Sequence, residues 1–97
     1  MRIEFDWDPA KAASNIAKHS VSFDLAMLVF HDPLALSELD DTNNETELRW
    51  VTLGATGEGG LVLVVHTHSE LEGGRAAIRI ISARRPTKRE IKQYQEG

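Results

Sequence analysis

Apolar and polar positions follow two periods along this chain. Ile3, Phe5 and Trp7 alternate with Glu4 and Asp6, the period of two expected of a strand with one covered and one wet face. Asp8-Pro9 then opens a helix, Asp as N-cap and Pro at the first helical position, where its missing N–H costs nothing. Ala10, Ala13, Ile16 and Ala17 supply its apolar stripe, which sets Lys11, Ser14, Asn15 and Lys18 outward. A tight joint from Lys18 to Ser22 leads into a second helix, capped by Ser22, with Phe23, Ala26, Met27 and Phe30 on one stripe and Val21 placed to staple against Ala26. Asp32-Pro33 stops it, because a residue before Pro is pushed out of helical geometry.

The second half reads as strands. Leu34 to Leu39 is followed by a polar turn at Asp40 to Asn44, then by a strand over Leu48 to Thr52 that points Arg49 and Trp50 to opposite faces. A Gly-rich loop from Gly54 to Gly60 precedes Leu61 to Thr67, the most strongly β-patterned run and the predicted central strand. After a loop at Ser69 to Gly74, Ala77 to Arg84 forms a strand apolar enough for burial on both faces, although Arg79 lies inside it and Arg84 closes it. Thr87 and Glu90, three apart, make a capping box for a last helix whose inward stripe is Ile91 and Tyr94. The order β-α-α-β-β-β-β-α with short loops predicts an α+β fold in one domain over residues 1–97: an antiparallel meander with its helices on one face.

Composition narrows the chemistry. With no Cys there is no disulfide framework, thiolate nucleophile or Cys-based zinc site. Neither a signal-peptide h-region nor a membrane-length apolar run is present, so a cytoplasmic protein is expected. The net charge of −4 hides an asymmetry. From Arg75 onward seven Lys/Arg face two Glu; before it, four face thirteen acidic residues. A basic end on an acidic body can bind nucleic acid locally.

Taken together, F-x-W-D-P-x-K-x-x-x-N-x-x-K-H (Phe5, Trp7, Asp8, Pro9, Lys11, Asn15, Lys18, His19), V-x-F (Val21, Phe23), V-F-x-D-P (Val29, Phe30, Asp32, Pro33), E-x-R-W (Glu47 to Trp50) and I-R-I-I-S-A-R-x-x-T-x-x-E (Ile78 to Glu90) resemble the BrnT family of type II toxin–antitoxin toxins. The resemblance implies a RelE-like fold, a ribonuclease that stops translation, and a BrnA antitoxin of ribbon-helix-helix type whose complex with the toxin represses its own promoter, so that operator DNA is met only through that complex. No membrane partner and no cofactor are implied. Two positions depart from the family pattern. Ser20 stands where Gly is usual, which costs roughly 1 kcal/mol if that position needs positive φ. The T-x-R arginine that the family carries after the central strand is absent, so one cation of the implied site is either missing or replaced by His68 or Arg75.

Metal-free RNA cleavage needs a base for the 2′-OH, cations for the charge that develops on phosphorus, and an acid for the leaving oxygen. Arg49, Arg79 and Arg84 are the candidate cations, being planar, always charged and bidentate toward phosphate. His66 and His19 are the candidates for proton transfer. Arg85, Lys88, Arg89 and Lys92 would steer the RNA backbone. The bland alternatives are structural: a His satisfied by a backbone carbonyl, Arg79 paired with Glu47, and Trp7 and Trp50 in the core. His66 and His68, with Glu70, could also chelate a metal, though no metal is required.

Overall fold

The computed structural model describes residues 2–40 and 48–97. Among these, five strands and three helices follow in the order β1 (Arg2–Asp6), α1 (Pro9–His19), α2 (Phe23–Met27), β2 (Leu36–Leu39), β3 (Trp50–Ala55), β4 (Leu61–Leu71), β5 (Arg75–Arg84) and α3 (Lys88–Glu96), with a short 3-10 helix at Leu28–His31 continuing α2. The caps form as expected. Asp8 accepts from Ala10 N–H, Ser22 from Leu25 N–H, and Thr87 and Glu90 cap each other.

The strands make one sheet in the order β1-β5-β4-β3-β2, with β4 at its centre. It is mixed, not purely antiparallel: β1 runs parallel to β5, Phe5 opposite Ile78 and Asp6 opposite Arg79. A parallel pair needs a long crossover, and everything between β1 and β5 supplies it. The helices do not share one face either. Val62 and Val64 of β4 point into a core with Val21, Phe23, Ala26, Val29, Ile78 and Ile80, under α1 and α2. Leu53 and Leu63, one pleat away, are each only 5% exposed and share a cleft with Glu90 and Gln93 of α3. So α3 covers the reverse face. Strands as continuously apolar as β4 require a cover on both sides. Tyr94 ties α3 back to the body by donating to Asp32 (2.5 Å), which also accepts from Ala55 N–H (2.8 Å).

The stripe expected on α1 is rotated. Ala10, Ala13 and Ala17 are exposed and Ile16 is 51% exposed, while Ala12 packs on the core and Asn15 is buried. Asn15 points inward because β1 leaves β5 after Arg79. Beyond that point the amide substitutes for a strand: Nδ2 donates to Ala83 O (2.8 Å) and Val21 O (2.9 Å), and Oδ1 accepts from Ala83 N–H (3.0 Å). Buried backbone polar groups demand such partners.

Candidate functional site

Strand register decides which candidate residues share a surface. Arg84 stands opposite Leu63 and Arg79 opposite Thr67, both on the reverse face of the sheet. Continuing the Trp50–His66 pairing by one residue sets the half-buried Arg49 level with Thr67, on that same face by alternation. The three arginines therefore share a face, Arg49 and Arg79 level with Thr67 on either side of β4 and Arg84 set apart from them. Thr67 lies four residue steps beyond Leu63 on β4, so Arg79 and Arg84 stand about 13 Å apart along the sheet. Arg79 is exposed, not enclosed in the sheet, and pairs with Asp6 of β1. Its expected partner Glu47 lies outside the described residues. Arg84 makes a bidentate pair with Glu90, Nη1–Oε1 2.8 Å and Nη2–Oε2 3.0 Å. This pair, more than any other contact, holds the Glu90 carboxyl down at about 2. Arg75 pairs with Glu4, and Arg85 donates to the carbonyls of Gly59 and Leu61, closing the β3–β4 turn. Lys88, Arg89 and Lys92 are exposed along α3.

His66 faces the other way. It is 3% exposed and meets Phe30 edge-on, with ring centroids 4.8 Å apart. Its Nδ1 lies 3.1 Å from Thr67 O, and a carbonyl can only accept, so Nδ1 carries the proton. Nε2 therefore accepts from the Thr52 hydroxyl (2.7 Å), which accepts in turn from Ser37 (2.8 Å). Burial lowers the pKa of His66 and favours the neutral ring. Every ring nitrogen is used, and the arginines lie on the opposite face, so His66 takes the structural role. His66, His68 and Glu70 line one groove with Trp50 and Ser37. Among the described residues no group of three or more His, Asp or Glu is arranged to hold a metal. Trp7 packs edge-on against Phe23, in the core as expected (5.9 Å).

His19 is the exposed histidine of the two proton-transfer candidates. It ends α1, where Ser20 takes the left-handed conformation (φ 56°, ψ 31°) and donates its N–H to Ile16 O. His19 lines a hollow of about 180 Å³ between α1 and β5. Lys11, Ser14 and Lys18 line its helix side, and Ile81 and Ser82 its strand side. The strand side exists because β5 is bulged there: Val65 pairs with Ser82 but His66 with Ile80, leaving Ile81 as the extra residue. Bulges re-aim side chains and gather beside active sites. Lys11 and Lys18, read from the sequence as outward-facing, are the residues that reading missed. The signal available was their spacing of seven, which returns to the same helical stripe after two turns.

A small α+β domain whose cations line one sheet face and the hollow beside its last strand is suited to a polyanion, and the comparisons identify the class as the ribonuclease toxins of type II toxin–antitoxin systems. The family described as the ribonuclease toxin BrnT of type II toxin–antitoxin systems matches residues 7–90, and this chain belongs to that family. Among solved structures it is similar to the 1.1 Å crystal structure of the Brucella abortus ribonuclease toxin BrnT, over 91% of this chain and 100% of that one, with a TM-score of 0.59 and 24% identity. That likeness is one of fold. No curated protein matches the chain. Membership of the family brings an RNA substrate and an antitoxin partner. Among the described residues no helix is long and apolar enough to cross a membrane.

Proposed function

We propose that this chain is a cytoplasmic, RelE-like endoribonuclease that cleaves RNA without a metal ion, inhibits translation, and is neutralised by a BrnA-type ribbon-helix-helix antitoxin. The observation that carries this reading is the setting of His19, an exposed imidazole in a hollow whose lining holds two lysines and no carboxylate. An imidazole there can take the proton of a 2′-OH as its oxygen attacks phosphorus, and can return a proton to the departing 5′-oxygen. Arg84 lies two residues beyond Ser82 on β5, in reach of a neighbouring phosphate, with its guanidinium oriented by Glu90. Lys88, Arg89 and Lys92 extend the cationic track along α3. The antitoxin inhibits by covering this track.

A second reading, a catalytically weak antitoxin partner and promoter co-repressor, is favoured by one observation: both Arg79 and Arg84 are already held by carboxylates. Inducing the chain alone in bacteria separates the two. Growth arrest relieved by His19→Ala or Arg84→Ala, together with RNA cleavage by purified protein in EDTA, is the expected result. Normal growth with soluble wild-type protein supports the second reading. Cleavage that starts only on adding a divalent metal overturns the metal-free mechanism.

A further inference from the structure

We infer that the hollow between α1 and the β5 bulge is a phosphodiester-binding site, in which Lys11 and Lys18 hold the RNA backbone beside His19. The inference rests on the reading of the chain as an RNA-cleaving enzyme and adds where the reacting phosphate sits. Charge is the first argument. The arginines of β5 have acceptors: Arg75, Arg79 and Arg84 each meet a carboxylate within 4 Å. Neither Lys11 nor Lys18 takes part in any of the ion pairs or side-chain hydrogen bonds found among the described residues. Two lysines on the lining of one hollow with no acid on it leave a place for an anion. Lys suits a phosphodiester as a compact, mobile charge with three donors.

Donor supply is the second argument. Ser14 and Ser82 bring hydroxyls from opposite walls. Asn15 lies beneath them, but its amide is fully engaged with Ala83 and Val21, so it positions the wall and does not bind ligand. At about 180 Å³ the hollow is roomy enough to hold water, and so to admit phosphate oxygens that displace it. The C-terminal end of α1 opposes an anion, so all of the attraction comes from these side chains. It follows that removing the two lysines removes the site.

The probe is a short RNA carrying 2′-O-methyl groups, which binds but cannot be cleaved, titrated by fluorescence anisotropy over a range of salt. Each phosphate contact to a single strand contributes about −0.7 to the slope of log K against log salt. The Lys11→Ala/Lys18→Ala double variant is expected to shallow that slope by about 1.4, to bind roughly ten-fold more weakly at low salt, and to melt at the wild-type temperature. Lys11→Arg/Lys18→Arg is expected to restore the slope. An unchanged slope in the double alanine variant, or no binding of the probe by wild-type protein, overturns the inference. The two failures separate. Normal cleavage of unmodified RNA with an unchanged slope sinks the lysine site alone, whereas a lost slope in a protein that never cleaves RNA sinks the nuclease reading and keeps the phosphate site.

Discussion

Glu90→Gln isolates the ion pair that fixes Arg84. Glu90 has two jobs: Oε1 accepts from Thr87 N–H (2.8 Å) to close the capping box, and both oxygens hold Arg84. Gln keeps the first job, since its amide oxygen serves equally in a capping box, and loses the charge needed for the second. Holding the carboxyl at about 2 instead of 4.5 corresponds to at most ~3.4 kcal/mol. Arg84 and Glu90 side chains are 40% and 23% exposed, so water screens the pair and brings the expected loss to about 1–2 kcal/mol. At pH 7 that lowers the melting temperature by roughly 4–16 °C in a domain of this size. The pH dependence has a definite sign. Because the folded-state pKa is depressed, the contribution is complete above about 4.5 and disappears as pH falls toward about 2. Urea unfolding of both proteins from pH 7 downward is the assay, and the gap between them should close in acid. A gap at pH 7 within about 0.3 kcal/mol of zero, or one that persists at pH 2, would refute the energetic role given to this pair.

Two further substitutions probe the frame of the hollow. Asn15→Ala strands the Ala83 amide and the carbonyls of Ala83 and Val21 and should cost about 3–5 kcal/mol in chemical unfolding; a loss under ~1 kcal/mol would mean the edge of β5 finds other partners. Ser20→Gly relieves a left-handed φ of 56° and should raise stability by about 0.5–1 kcal/mol after the greater chain entropy of Gly is counted; a lower melting temperature would contradict that account.

Elements whose signals lie within four residues of each other were legible in the chain. Asp8-Pro9, Ser22 and the Thr87–Glu90 box act locally and mark their helices correctly. The position of β1 was not legible. Alternation in Ile3, Phe5 and Trp7 shows which face is covered but carries nothing about the neighbouring strand, and the partner β5 begins at Arg75, far along the chain. The placement of α3 was available in principle. A strand as apolar as Leu61 to Val65 needs cover above and below, which a single helical layer cannot give. Leu53 and Leu63 required a second layer, and α3 was the element left to make it.

The candidate site was legible in part, for a related reason. Strand alternation alone would set Arg79 and Arg84, five residues apart, on opposite faces; the bulge at Ile81, which no pattern in the chain announces, brings them to one, and residue spacing says nothing of what a guanidinium meets there. Asp6 arrives through the parallel pairing of β1, and Glu90, recognised as a cap, has a second oxygen that the capping pattern does not use. Helix periodicity failed at Asn15 because it sorts residues by polarity, and this amide is buried as a substitute for strand backbone. Turning Asn15 inward sets the rotation of α1, and with it places the exposed Lys11, Lys18 and His19 beside the edge of β5. The same rotation exposes Ile16 and its alanine neighbours. One buried amide therefore sets the orientation of the whole helix, and with it which cations stand beside the exposed histidine.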